Sequence, residues 1–169
     1  MIKRRDMLAG LAGAGFASST RAAGKSRERT EMLGAPAPAF EVTTFDSRTL
    51  TQAQLAGQVV VLNYWATWCM PCRAEMIVMD SYMRRHAQSG LNIFAIATEN
   101  SVPNFKLKPL SEALSFPLIR RLKGKGYGLI GGAVPTSYVI DRQGVIRHAR
   151  AGAFDAESFD DLITPLLRV

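Results

Sequence analysis

Residues 59–72 read Val59-Val-Val-Leu-Asn-Tyr-Trp-Ala-Thr-Trp-Cys-Met-Pro-Cys72, an apolar run that ends in two closely spaced cysteines. The first eight residues are nearly all β-branched, apolar or aromatic, which is typical of a strand covered on both faces. Pro71 suits the first turn of a helix, and apolar residues recur at three- and four-residue steps from Met76 to Ala87. The stretch therefore predicts a buried strand that leads directly into a helix reaching about Ser89, with both cysteines at the junction.

Cys69 and Cys72 are the only cysteines of the chain, and their place at the start of a helix suits redox chemistry. The N–H groups and the dipole at a helix N-terminus favour an anion, so we expect a stabilised Cys69 thiolate. One thiol can then attack a disulfide while the other resolves the mixed disulfide. A structural staple across so short a loop stabilises little, and a metal site lacks further ligands. No metal and no cofactor are therefore expected.

The composition is that of an ordinary globular protein. The 169 residues are 47% hydrophobic and 21% charged, which amounts to about one domain and excludes collagen-like, coiled-coil and disordered chains. The formal charge is +7, but four of the basic residues lie within the first two dozen positions. The remaining excess is too small to indicate nucleic-acid binding. We expect a monomer with no nucleic-acid partner.

The amino terminus has the features of an export signal. Arg4 and Arg5, which resemble a twin-arginine signal, precede a charge-free stretch at 7–20 that is too short and too weakly apolar to span a bilayer. Small side chains predict cleavage near Ala22 or Ala23. A general secretory signal is the alternative route, and a membrane-tethered form stays open. We therefore expect a periplasmic protein with an export signal at 1–23, a linker at 24–38 and one domain at 39–169.

Further strands and helices alternate around the central pair. Residues 34–38, Gly-Ala-Pro-Ala-Pro, resist helix and central strand, so ordered structure is expected from Phe40. Five glycines between 116 and 133 predict loops around a short helix at 127–130. The other predicted elements are a hairpin at 40–50, a buried strand at 91–98, a helix opened by Ser101 and Pro103 and limited by Pro109 and Pro117, a hairpin at 136–149, and a helix capped by Asp155 that ends near Leu167.

The sequence resembles the thioredoxin superfamily, in particular its exported TlpA/ResA/DsbE-like thiol-disulfide oxidoreductases. Residues 61–75 are similar to the active-site strand and helix of that branch. Residues 34–40 are similar to the entry into its extra hairpin, and residues 134–144 to its cis-proline strand and turn. The resemblance covers about residues 34–167. It implies an α/β thioredoxin-like fold, with a mixed central sheet flanked by helices and an extra N-terminal β-hairpin.

The resemblance also implies roles for individual residues. Pro135 matches the family's cis-proline, which faces the disulfide and leaves neighbouring backbone free to pair with a substrate chain, whereas an ordinary turn proline is the plain alternative. Glu75 matches a carboxylate that handles the proton of the buried thiol, with a solvated glutamate as the alternative. Asn63 stands where cytosolic thioredoxins have an aspartate, which leaves proton transfer to Glu75. The expected catalytic residues are Cys69, Cys72, Glu75 and Pro135, and the expected substrate-binding residues are Trp68, Met70, Pro71 and Val134.

The expected function is dithiol–disulfide exchange with client proteins, in the direction of reduction. The family implies apocytochrome c as one client and a membrane electron donor of the DsbD/CcdA type. A disulfide oxidase or isomerase is the enzymatic alternative, although Met70-Pro71 lacks the histidine of strongly oxidising dipeptides. A non-enzymatic Cu(I) or haem-pathway chaperone is the alternative from another class, because thiolates suit Cu(I). The basic residues at 120–125 are interpreted as a solvated loop, with a docking patch for an acidic partner as the alternative.

Overall fold

The buried strand and the helix predicted at the centre of the sequence are both present in the structure. The computed structural model describes residues 29–99 and 102–168. Its strands are β1 (Phe40–Thr44), β2 (Thr49–Thr51), β3 (Val59–Trp65), β4 (Leu91–Ala97), β5 (Leu118–Gly124), β6 (Thr136–Ile140) and β7 (Ile146–Ala151). Its α-helices are α1 (Met70–Arg85), α2 (Asn104–Ala113) and α3 (Ala156–Leu167), and two short 3-10 helices cover Thr30–Met32 and Gln52–Leu55.

The strands form one mixed sheet in the order β2-β1-β5-β4-β3-β6-β7. β3, β4 and β5 run parallel, and the other neighbours pair antiparallel. β3 lies between β4 and β6, and all of its residues are buried. Burial on both faces explains why residues 59–65 are apolar or aromatic except for Asn63 and show no alternation of polar side chains.

Each face of the sheet carries its own apolar cluster. Successive side chains of β3 point to opposite faces, so Val61 belongs to the cluster on the helix side and Leu62 to the cluster on the other face. The buried apolar side chains of the three α-helices all belong to the first cluster, which also contains Cys69 and Cys72. The helices therefore cover one face of the sheet, and the reactive pair lies in that layer.

The two predicted hairpins and the final helix are confirmed. Val42 pairs with Leu50 in the first hairpin, and β6 pairs with β7 in the second. The Asp155 side chain accepts the N–H of Ser158 at 2.8 Å and so caps α3. The active-site helix α1 ends at Arg85, one turn earlier than its apolar spacing predicted.

The interpretation of residues 116–133 as loops around a short helix is wrong for 118–124 and for the helix at 127–130, whereas residues 125–133 lie outside helix and strand as predicted. Residues 118–124 form β5, which lies between β1 and β4 in the interior of the sheet. Leu118 and Ile119 are fully buried, whereas the basic side chains at 120–125 are exposed. The neighbouring strands satisfy the backbone hydrogen bonds of this segment, and long-range pairing of that kind outweighs the local signal of the glycines. The basic segment is thus mostly a strand, and Lys123 forms an ion pair with Glu41 at 3.0 Å.

Pro109 does not limit the second helix, as the sequence suggested; α2 continues through it to Ala113. Proline removes one intrahelical hydrogen bond. Leu107 is nevertheless buried in the helix-side cluster and Leu110 packs against it. This burial of apolar surface holds the helix together across the proline.

Ordered contacts begin before Phe40, where we expected them to start. The backbone of residues 29–37 hydrogen-bonds to the last hairpin: Gly34 N–H donates to Ile146 O at 2.8 Å and Ala37 N–H to Gly144 O at 2.8 Å. The part of the expected linker that the structure describes therefore packs along β7. Among the helices of residues 29–99 and 102–168, none is long and apolar enough to cross a membrane.

Candidate active site

The two cysteines form a disulfide at the junction of β3 and α1. The Cys69 and Cys72 sulfurs are 2.11 Å apart and the Cα atoms 5.3 Å apart. Cys69 retains 4% of its exposure, and Cys72 retains none. A client thiolate can therefore reach the bond only at the sulfur of Cys69, which makes Cys72 the buried partner.

The helix start holds the sulfur of Cys69. Cys69 is the N-cap of α1, and its Sγ accepts the backbone N–H of Cys72 at 3.2 Å. Pro71 occupies the first turn, where a missing N–H costs nothing. When the disulfide is reduced, this N–H and the helix dipole favour a thiolate at Cys69.

Glu75 lies three residues after Cys72 on α1 and is completely buried. Its Oε1 accepts the N–H of Phe154 at 3.1 Å, and its Oε2 accepts Nδ2 of Asn63 at 2.8 Å. Burial raises the pKa of Glu75 to about 7, against the opposing effect of these two hydrogen bonds. A carboxyl group that gains and loses a proton near neutral pH is suited to general acid–base catalysis.

Asn63 and Ser137 complete the polar wall around Glu75. The two residues are register partners on β3 and β6, and Asn63 Nδ2 also donates to Ser137 Oγ at 2.9 Å. Both side chains are fully buried. The contact of Asn63 with Glu75 and the presence of Ser137 in the site were not predicted from the sequence. The signal that was available was a lone polar residue within an otherwise apolar buried strand.

The peptide bond between Val134 and Pro135 is cis. Thr136, the next residue, pairs with Tyr64 near the C-terminal end of β3. This pairing brings Pro135 to the same end of the sheet as the disulfide, which follows β3. Val134 packs against the cluster that contains both cysteines. The structure thus brings the predicted residues of this loop to the cysteine side of the sheet.

The surface next to the disulfide is apolar. Trp68 and Met70 are each 70% exposed, and Pro71 is also exposed. Large apolar side chains that stay exposed beside a reactive bond provide a contact surface for another protein. Trp65, by contrast, is 1% exposed and belongs to the core.

His148 on β7 is half-buried beside the site. Its ring packs on Phe154 with centroids 4.8 Å apart, and Phe154 is the residue whose N–H contacts Glu75. Burial and, to a lesser degree, the charge of Arg150 lower the pKa of His148 to about 4. The histidine is therefore neutral near pH 7 and adds no charge to the site.

Together these groups can carry out thiol–disulfide exchange. Cys69 offers the accessible sulfur, Cys72 the buried one, and Glu75 a proton acceptor on the same helix. Within the part of the chain that the structure describes, no three His, Cys, Asp or Glu side chains come together as a metal site would require.

Comparisons with known proteins agree with this chemistry. A family model described as AhpC/TSA matches residues 33–149. The thiol-disulfide oxidoreductase ResA of Bacillus cereus is 30% identical over 148 residues, which cover 82% of this chain and 80% of ResA. The thiol:disulfide interchange protein DsbE of Pseudomonas aeruginosa is 31% identical over 147 residues, covering 80% and 75% of the two chains.

A solved structure confirms the predicted thioredoxin-like fold. The crystal structure of a thiol:disulfide interchange protein of the thioredoxin family from Chlorobium tepidum superposes with a TM-score of 0.64 at 27% identity. The match covers 78% of this chain and 95% of that one. The chain therefore belongs to the AhpC/TSA family, within which it is a thiol-disulfide oxidoreductase similar to ResA and DsbE.

Proposed function

We propose that the chain is an exported reductant of protein disulfides, with Cys69 as the attacking thiol and Cys72 as the resolving thiol. The observation that carries the direction is the surroundings of the Cys69 sulfur. The Cys69 Sγ accepts the backbone N–H of Cys72, and the neighbouring Met70 and Pro71 side chains carry no hydrogen-bond donor. Strong oxidants owe their high potential to a stabilised reduced form. Because no side-chain donor of Met70 or Pro71 stabilises the Cys69 thiolate beyond the helix N-terminus, the pair should have a low reduction potential. A low potential directs electrons towards the client.

In the proposed reaction the Cys69 thiolate attacks a client disulfide, forms a mixed disulfide and releases one client thiolate. The Cys72 thiolate then attacks the Cys69 sulfur, forms the disulfide seen in the structure and releases the second client thiolate. Two electrons pass from the dithiol to the client, which is reduced while the protein is oxidised. Cys72 must lose a proton before its attack, and we assign Glu75 as the acceptor, because its pKa of about 7 allows it to accept and return a proton.

The client docks at the exposed apolar surface beside the disulfide in this proposal. Trp68, Met70 and Pro71 supply side-chain contacts, and the backbone of Val134, next to Pro135, supplies main-chain pairing. Pro135 has no N–H of its own, so the pairing falls to its neighbours. These contacts are sequence-tolerant, which suits an enzyme that recognises a disulfide more than a particular chain.

The amino terminus and the relatives support export as the proposed location. We assign residues 1–23 to an export signal cleaved near Ala22 or Ala23, and the chain from Arg29 onward, whose backbone already contacts β7, to a monomeric domain in the periplasm. A thiol donor in the membrane, of the DsbD/CcdA type, would restore the dithiol. A client with a Cys-x-x-Cys-His segment, such as apocytochrome c before haem attachment, is the one that the resemblance to the TlpA/ResA/DsbE-like branch implies.

The reduction potential of the Cys69–Cys72 pair tests the direction. The purified domain is equilibrated with dithiothreitol or glutathione buffers, and free thiols are trapped at each ratio. We expect a value near or below about −250 mV, in the range of thioredoxin. A value between about −120 and −180 mV would overturn the reductant assignment in favour of disulfide formation or isomerisation.

Trapping tests the division of labour between the sulfurs. The Cys72→Ser variant, reduced and mixed with an oxidised Cys-x-x-Cys-His peptide, should accumulate a mixed disulfide through Cys69. The matched Cys69→Ser variant should accumulate much less, because the remaining thiol is buried. Equal trapping by both variants, read by mass spectrometry, would contradict the assignment. Binding of Cu(I) by the native dithiol with no reduction of the peptide would favour the chaperone alternative.

A further inference from the structure

The side-chain amide of Asn63 is held between two oxygens in the wall of the site. Its Nδ2 donates to Glu75 Oε2 at 2.8 Å and to Ser137 Oγ at 2.9 Å, which uses both of its hydrogens. Its Oδ1 is buried and has no hydrogen-bond partner among the described residues. A buried acceptor without a partner destabilises the folded protein, so this arrangement calls for an explanation.

The observed orientation suits the carboxylate form of Glu75 best. An N–H directed at Oε2 stabilises a carboxylate, whereas a proton carried by Oε2 on the side of Asn63 would need an acceptor there. Rotating the carboxamide of Asn63 by half a turn exchanges Nδ2 and Oδ1 without moving the backbone. Oδ1 would then accept the O–H of Glu75 and the O–H of Ser137. In the turned orientation Asn63 Oδ1, which has no partner in the structure, would gain two donors, and Nδ2 would give up its two acceptors.

We propose that Asn63, supported by Ser137, is a positioning residue that holds Glu75 in both of its protonation states by turning its carboxamide with the proton. We call this pair the amide switch. The inference rests on the proposed function, because it is the exchange of a proton with Cys72 that makes both states of Glu75 part of the reaction.

The surroundings of Glu75 leave the amide switch as its main adjustable contact. The elements packed around it bring few titratable or charged side chains, and among the described residues none forms an ion pair with it. β4 brings Ala95 beside Asn63, and Phe154 offers only its backbone N–H. The titratable or charged groups that share contacts with it are Cys72, one turn earlier on α1, Asp155, which follows Phe154, and His148, which packs on Phe154 and feels the charge of Arg150.

The first test follows the proton on Glu75 in the oxidised full chain. The carbonyl stretch of the protonated carboxyl is recorded by difference infrared spectroscopy across the pH range and assigned with Glu75→Gln. In Asn63→Leu the carboxylate loses a donor, so the midpoint should move upward by about one pH unit or more. Tyr138→Phe is the matched control. It removes a buried hydroxyl from the same strand β6 on the opposite face, and it should leave the midpoint unchanged.

The second test needs no change at Asn63. In the native protein labelled with nitrogen-15, both side-chain N–H signals of Asn63 should shift with the midpoint of Glu75, because both lose their partners when the amide turns. In Glu75→Gln this pH transition should vanish. Ser137→Ala should move the Glu75 midpoint less than Asn63→Leu does, because Ser137 reaches Glu75 only through the amide.

Two results would overturn the amide switch: Asn63 signals that do not follow the titration of Glu75, or an Asn63→Leu midpoint equal to that of the native protein. Both measurements use the oxidised protein without a client. A wrong assignment of the reductant direction would therefore leave them unchanged, and their failure would leave the thiol chemistry standing.

Discussion

Replacing Glu75 by glutamine should change how the stability of the oxidised protein depends on pH. In the folded protein the pKa of Glu75 is about 7, against an ordinary value of 4.5. Between those two values the native state binds more protons than the unfolded state, so the free energy of unfolding falls as pH rises. The stability that protonated Glu75 provides is complete below about pH 4.5 and is lost as pH rises through 7.

The size of the effect follows from the two pKa values. One pH unit of difference corresponds to about 1.4 kcal/mol, so the native protein should lose about 3 kcal/mol between pH 4.5 and pH 8 through this group alone. Glutamine at position 75 does not titrate and cannot contribute to that loss. With a denaturant slope of about 1–3 kcal/mol per molar urea, the difference is about 1 M or more in the urea midpoint.

The assay is urea unfolding of the oxidised native protein and of Glu75→Gln, each at several pH values from 4.5 to 8. The quantity of interest is the change with pH of the difference in free energy between the two proteins. This comparison removes the constant effect of the substitution and the titration of every other group, including His148, which acts in the opposite direction. We expect the stability of the variant relative to the native protein to rise by about 3 kcal/mol over the range.

If the free energies of unfolding of the two proteins changed with pH in parallel, the predicted effect of Glu75 would be wrong. They would mean that Glu75 has the same pKa in the folded and unfolded states, and hence that burial does not perturb it. The proposed proton transfer with Cys72 would then lose its physical basis, because an ordinary carboxyl group is ionised at pH 7 and a poor proton store.

Two further changes test other parts of the site. The lowered pKa of His148 makes the native protein less stable as pH falls from 6.5 towards 4, and His148→Phe removes this effect. The difference in Tm between the variant and the native protein should therefore be more favourable to the variant at pH 4.5 than at pH 7.5. An equal Tm difference at both pH values would contradict this. Trp68→Ala should change the free energy of unfolding by no more than about 0.5 kcal/mol, because Trp68 is 70% exposed. The same variant should slow reduction of a protein disulfide about tenfold while leaving reduction of oxidised glutathione unchanged, and equal slowing of both substrates would rule out a docking role.

The parts of the fold that local sequence determines were predictable. Residues 59–72 carry their own signals, because a covered strand needs a continuous apolar run and a helix accepts proline in its first turn. Asp155 likewise signals its helix through its own side chain. Each of these features depends on residues that are close neighbours in the sequence.

The parts that depend on distant partners were not predictable from local pattern. β5 is a strand because β1 and β4 lie on its two sides, and nothing within residues 118–124 reveals those neighbours. Asn63 and Ser137 are 74 positions apart, and only the register of β3 and β6 brings them together. The cysteines could be recognised from their spacing, whereas the contacts of the Asn63 amide with Glu75 and Ser137 could be recognised only from the sheet.

The segment at 29–37 that packs along β7 has a consequence for the solution behaviour of the protein. An unpaired outer strand offers a row of free N–H and C=O groups that can recruit a strand from another molecule. Here Ile146 N–H donates to Ala35 O at 3.0 Å and Arg29 N–H donates to Ala149 O at 2.9 Å, so part of that row is already occupied. At the other margin β2 is only three residues long. Both margins of the sheet are thus poor templates for edge-to-edge association, which protects the protein from aggregating through its outer strands.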